Sequence, residues 1–284
     1  MFGANCIFAA FFMAKRARIR LGVVICLLLL MSCSSKFRKI QKSEDWRVKY
    51  DAGLNYYDNK DYYHTSLLFE EILPVVRGLP EGEKVEFYLA YCQYYQKTYL
   101  LASNQFRTFF ETYGRSSLAQ EAFFMYAYSM YVASPAADLD QKNSVEAMNA
   151  MQNFINQYPE SKYKDRAIEV IGDCQVKLEK KGFENAKQYL KIRSYKAAII
   201  AFDNFKKSFP DSKYLEETAY LKVVAEYKLA IQSFQHFQLE RYTFVVTYYQ
   251  ELVDNFPSSS FLKEAEKMYT DSLNQISKLK NKNS

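Results

Sequence analysis

Gln157-Tyr158-Pro159-Glu160-Ser161-Lys162-Tyr163 is the stretch on which the fold turns. Three other segments close on variants of it: Thr112-Tyr113-Gly114-Arg115-Ser116-Ser117-Leu118, Ser208-Phe209-Pro210-Asp211-Ser212-Lys213-Tyr214 and Asn255-Phe256-Pro257-Ser258-Ser259-Ser260-Phe261. The first aromatic plugs a core at a helix end, and proline stops that helix. Asp or Ser then caps the helix that follows. The phrases recur at intervals of 45, 51 and 47 residues, room for two helices and a turn each. Composition agrees: 25 Tyr and 22 Phe imply a large aromatic core, while only 8 Gly and 6 Pro argue against a phosphate-binding glycine loop or a turn-dense β-sandwich.

Upstream of each phrase, small and large apolar residues alternate in a pattern that resembles the tetratricopeptide repeat. The fourth copy fits best, with Ala186, Tyr189, Ala198, Phe202, Phe205 and Pro210. The first gives Gly53, Tyr56, Phe69 and Ile72, and the second Ala90, Ala102, Phe106 and Phe109. The third gives Ala127, Ala147, Met151 and Phe154, with residues 134–141 inserted between its helices. The fifth gives Ala225, Val245, Tyr249, Leu252 and Pro257. Small residues let the helices of a pair approach, and large ones fill the gap to the next pair. The expected fold is all-α: an α-solenoid of about five tetratricopeptide-like helix pairs, one domain over 44–279. Residues 163–193 and 214–238 read as two over-long helices, the first with a bend at Gly172 or Gly182. An amphipathic helix from Phe261 to about Lys278 caps the stack, and 280–284 reads as a disordered tail.

The amino terminus reads as a targeting segment over 1–32, with Met13 a cleaner start than Met1 for the basic run Lys15, Arg16, Arg18, Arg20. The apolar run Leu21–Met31 is about half the length of a permanent membrane span. Leu30-Met31-Ser32-Cys33 resembles the bacterial lipobox. That resemblance implies a diacylglycerol on the Cys33 thiol and cleavage before Cys33, followed by acylation of the new amine. A linker over 33–43 follows. Ser34 after the lipidated cysteine implies delivery to the outer membrane, and the basic linker a periplasmic orientation. Of the net charge of +6, four positives precede Cys33, which leaves 34 basic against 32 acidic residues. So small an excess excludes nucleic-acid binding by bulk charge. Cys92 and Cys174 read as buried free thiols, with a single disulfide the alternative. Together with the isolated His64 and His236 they offer no metal-ligand spacing, and no cofactor is expected.

Lipobox, basic linker, five helix pairs, the Pro135-Ala136-Ala137-Asp138-Leu139-Asp140-Gln141 insertion and a long fourth-pair helix together resemble the BamD (YfiO-type) outer-membrane assembly lipoproteins. The phrases Ala127-Tyr128-Ser129-Met130-Tyr131, Phe154-Ile155-Asn156-Gln157-Tyr158-Pro159 and 209–214 carry that likeness over roughly 43–270. It implies a non-enzymatic periplasmic scaffold of the β-barrel assembly machinery. Carboxy-terminal repeats would bind the POTRA domains of the BamA insertase, and amino-terminal repeats the aromatic signal of unfolded outer-membrane proteins. The first pair departs from the pattern, ending in Leu73-Pro74 and Leu79-Pro80 instead of an aromatic-proline phrase. Another tetratricopeptide cell-envelope lipoprotein, for envelope coordination or nutrient binding, is the competing reading. An enzyme on a helical superhelix would need an appended catalytic domain, for which no length remains.

Counting from the small residue of each first helix places Tyr50, Leu54 and Tyr57, then Phe87, Tyr91, Tyr94 and Tyr95, then Phe124, Tyr128 and Tyr131 toward a concave groove. Stacked phenols there would offer apolar faces and hydroxyls to an extended peptide. The same spacing also fits tyrosines that fill the core. The lysines of the fourth repeat, among them Lys187, Lys191 and Lys196, read as a solvated face or an insertase-docking patch.

Overall fold

The structure, a computed structural model, describes residues 36–282. The signal segment, the lipobox with Cys33 and residues 283–284 lie outside the described residues. A short helix α1 over 36–41 precedes α2 (Trp46–Asp58), α3 (Tyr62–Val76), α4 (Pro80–Tyr95), α5 (Tyr99–Thr112) and α6 (Ala119–Ala133). Then come α7 (Lys142–Gln157), α8 (Lys164–Lys191), α9 (Tyr195–Ser208), α10 (Leu215–Gln232), α11 (Gln235–Asn255) and α12 (Leu262–Lys282). Consecutive helices pack on one another from α2 to α6 and from α8 to α12, and the described residues contain no strand. The fold is all-α, of the solenoid type. The described residues form two compact units, one of those up to Ala133 with Asn153–Tyr163, the other of Ser134–Gln152 with those from Lys164 onward.

Within pairs, close approach follows from the small residues. A Cβ on Gly53 would lie 2.3 Å from the Phe69 ring, so α2 and α3 meet where no side chain fits. Ala90 and Ala102, and Ala186 and Ala198, hold the corresponding small positions; all four are buried, and the latter two share one core cluster. Three within-pair turns share one closure. Asp61 N–H donates to Tyr56 O, Thr98 N–H to Gln93 O, and Ser194 N–H to Tyr189 O, at 2.9–3.0 Å. Each needs a left-handed residue one position earlier, and here these are Lys60, Lys97 and Arg193, with φ of 61°, 65° and 62°.

Between pairs, the closing phrase does the same work four times. Tyr113, Tyr158, Phe209 and Phe256 each donate a backbone N–H to the carbonyl four residues back, at 2.7–2.9 Å. The serine that follows accepts from the N–H two residues on: Leu118, Tyr163, Tyr214 and Phe261, at 3.0–3.2 Å. In three of the four, the last aromatic then stacks back on the preceding first helix. Tyr163 lies 4.7 Å from Phe124, Tyr214 4.6 Å from Phe183, and Phe261 4.7 Å from Tyr220. At the departing first pair, Pro74 falls inside the end of α3, Gly78 takes φ of +89°, and Pro80 opens α4.

The long helix expected over 163–193 is α8, helical through both Gly172 and Gly182. The second is not one helix. Residues 214–238 break at Ser233 and Phe234, where ψ is extended at 151° and 148°, so α10 ends at Gln232 and α11 begins at Gln235. Ser233 Oγ donates to Leu229 O at 2.7 Å, and Gln238 Nε2 to Ser233 O at 3.1 Å, so side chains satisfy the groups the break exposes. Helix α12 continues to Lys282, past Lys280 where the disordered tail was expected to begin, and the rest of that tail lies outside the described residues. Cys92 and Cys174 are free and buried; burial pushes their thiols up to about 12 and about 11.

Candidate functional site

Six of the ten groove candidates join in one strip on the amino-terminal unit. Tyr57, at the end of α2, lies 4.5 Å from Tyr88 and 5.5 Å from Tyr62. Tyr62 stacks on Tyr95 at 4.4 Å, and Tyr95 on Tyr91 at 5.9 Å. Tyr94 meets Tyr95 edge-on and lies 6.3 Å from Tyr128, which is 5.7 Å from Tyr131. The strip runs over α2, α3, α4 and α6 because α4 and α6 carry phenols three or four positions apart and Tyr57 and Tyr62 of the first pair lie against Tyr88 and Tyr95 of the second. Tyr95 is its most open member, 45% exposed.

The remaining four candidates lie inside: Leu54 packs on the first core cluster, and Phe124 is buried and stacks on Tyr163. Phe87 is 5% exposed and packs against Phe106 and Phe109, so it fills the second pair and offers no face to a ligand. Tyr50 stacks on Phe69 and belongs to the edge of the first core cluster. Burial first, then the charge of Glu81, raises its phenol pKa.

Hydroxyl chemistry divides the strip further. Tyr91 donates to Glu121 Oε1, and Tyr163 donates to Glu121 Oε2 at 2.7 Å. Burial, then the bond to Glu121, holds both phenols well above the usual tyrosine range. The Tyr91 hydroxyl is thus held within the fold. Tyr57 is raised by burial as well, with no carboxylate among the causes. Sequence reasoning missed Tyr62 and Tyr99, which extend the strip from the first positions of the second helices, and Glu121, whose partners lie 30 and 42 residues away. The caps before Tyr62 and Tyr99 were the only local signal.

The docking candidates occupy α8 and α9 of the second unit. Lys187 Nζ lies 3.0 Å from Glu217 Oε1 and sits over the Phe183 ring at 4.8 Å, so its charge is already matched. Lys191 and Lys196 are exposed on either side of the α8–α9 turn. Two neighbouring lysines pin the 134–141 insertion, Lys177 Nζ donating to Ser134 Oγ and Lys181 Nζ to Leu139 O, both at 2.6 Å. The same unit contains a cleft of about 200 Å³ walled by Phe202, Leu215, Thr218, Tyr248 and Phe256, large enough for one side chain. Lys222 bridges Asp203 at 2.8 Å within it and lies over the Tyr248 ring at 3.8 Å. Among the described residues no helix is long and apolar enough to cross a membrane.

These features match a known group. A family described as YfiO, outer membrane lipoprotein, matches residues 43–242. A protein of Aquifex aeolicus (strain VF5), described as a putative outer membrane protein assembly factor BamD, is 28% identical over 210 residues, covering 73% of this chain and 68% of the relative. The family match includes every helix from α2 to α10, and with them both the tyrosine strip and the exposed lysines. The chain belongs to the YfiO family of outer membrane lipoproteins.

Proposed function

We propose that the protein is a non-catalytic scaffold for the assembly of outer-membrane β-barrel proteins, held on the periplasmic face of the outer membrane by lipid on Cys33. Its amino-terminal unit receives an aromatic segment of an unfolded outer-membrane protein, and its carboxy-terminal unit docks the POTRA domains of a BamA-type insertase. Family membership and the name of the Aquifex relative support the assembly role. The observation that carries the receptor role is the tyrosine strip, which crosses three helix pairs and stays open at Tyr95. Flat phenol faces with adjacent polar tips suit a peptide whose aromatic side chains alternate with backbone groups in need of partners.

Binding of a fluorescent peptide carrying a carboxy-terminal aromatic β-signal tests the reading. Tyr95→Ala should weaken binding on the order of tenfold, as for an anchor of about 1–3 kcal/mol, with circular dichroism unchanged. Unchanged affinity, or equal binding of a peptide with its aromatics replaced by serine, would contradict the reading. Tyr91→Ala is the poorer test, because it also strips a partner from Glu121.

A further inference from the structure

Helix α1 has two faces of different character. Phe37 points into the first pair, 8% exposed, with its ring 4.2 Å from His64 and 5.9 Å from Tyr56. The pocket is itself fixed: Tyr56 and His64 lie 5.4 Å apart, and Asp61 Oδ2 holds His64 Nδ1 at 2.7 Å. On the other side Lys36, Arg38, Lys39 and Lys42 are all exposed, and no acid occurs before Glu44. Two carboxylates of the first pair are engaged elsewhere, Asp45 capping α2 by accepting from Arg47 N–H and Asp61 holding His64.

We propose that this basic face is a docking surface for anionic phospholipid headgroups, and that Phe37 latches it to the first helix pair so that the pair is held against the bilayer. The position rests on the reading of Cys33 as the acylated residue. Lys36 lies three residues beyond Cys33, at most about 11 Å of extended chain. The first positive charge therefore lies near one Debye length of the headgroups, about 8 Å at physiological salt. Four cations grouped beside a membrane anchor have the composition of an anionic-lipid contact. A linker that only tethered would have no need of a buried phenylalanine. The latch converts a flexible leash into a fixed attachment, and the orientation of the tyrosine strip to the membrane follows from it.

The test uses the mature chain with Cys33→Ser, so that no acyl chain contributes, mixed with vesicles of phosphatidylcholine alone or with about one third phosphatidylglycerol. At low salt the chain should bind the anionic vesicles on the order of tenfold more tightly, and the preference should fade toward about 0.15 M salt. Lys36→Gln, Arg38→Gln, Lys39→Gln and Lys42→Gln combined should abolish the preference without lowering the melting temperature. Equal binding to both vesicles, or a preference that survives the four substitutions, would overturn the docking surface. Phe37→Ala should keep the preference while hydrogen exchange over 36–41 accelerates to that of an open peptide; unchanged exchange would overturn the latch. Mass spectrometry of the mature chain from membranes separates the two readings. A free Cys33 thiol would remove the lipid anchor while leaving the vesicle result standing.

Discussion

Glu121 shows what single residues contribute here. One carboxylate accepts from Tyr91 and Tyr163, which tie α4, α6 and the 158–163 turn together. A hydrogen bond to a charged, partly buried group contributes about 1.5–3 kcal/mol, so Tyr91→Phe should lower unfolding free energy by about 1–2 kcal/mol in urea. Tyr95→Phe, at an open position, should change it by less than about 0.5 kcal/mol. Equal effects would mean that the carboxylate bond carries nothing. The second unit uses the same chemistry with a pH signature. Burial first, then bonds to Glu264 and Asp271, pushes Tyr220 and Tyr227 up to about 12; burial and the charge of Glu226 do the same for Tyr248. A phenol raised in the folded state stabilises fully below its unfolded pKa of about 10 and loses that contribution as pH rises through the folded value. Alkaline titration followed by phenolate absorbance and circular dichroism should therefore show helicity retained until about pH 12 and lost as these three phenols ionise, and loss of helicity well below that would contradict the assignment. Spacing alone made Tyr91 and Tyr95 alike, because the carboxylate that distinguishes them sits 30 residues away in sequence.

Helices and turns were legible to different degrees. The closing phrase encodes its turn locally, in an aromatic, a helix stop and a serine, so all four copies fold alike. The within-pair turns carry no such mark, because lysine and arginine occupy the left-handed slot that glycine usually signals. The α10–α11 break was missed for a related reason: Ser233 and Phe234 are no helix breakers by propensity, and the extended backbone there is held by Leu229 and Gln238. Glycine gives the clearest element-scale test. At Gly53 an added Cβ meets Phe69, whose ring is fully buried and cannot yield, so Gly53→Ala should destabilise by about 1–3 kcal/mol. At Gly172, mid-α8, nothing lies within 4 Å, so Gly172→Ala should stabilise by about 0.5–1 kcal/mol. Thermal melts of the two variants should move in opposite directions; movement in the same direction would contradict the packing described.

At the scale of the molecule, two surfaces differ in chemistry: an uncharged strip of phenols on one unit and exposed lysines around the α8–α9 turn of the other. The strip was legible at six residues, while Tyr62 and Tyr99 were missed and helical spacing placed Tyr50, Leu54, Phe87 and Phe124 in the groove where packing holds them at the core. The lysines were harder, because Lys187, Lys177 and Lys181 look like surface cations in sequence yet are engaged by Glu217, Ser134 and Leu139. If the exposed lysines steer the proposed insertase, Lys191→Glu with Lys196→Glu should slow association with its POTRA domains, with little change in dissociation. The proposed division, with substrate at one surface and insertase at the other, can be probed by photocrosslinking the full-length chain in intact cells, with a photoreactive residue at Tyr95 or at Lys191. Tyr95 should capture unfolded outer-membrane β-barrel chains, and Lys191 should capture the insertase. Capture of the insertase at Tyr95 and of substrate chains at Lys191 would contradict the division of roles.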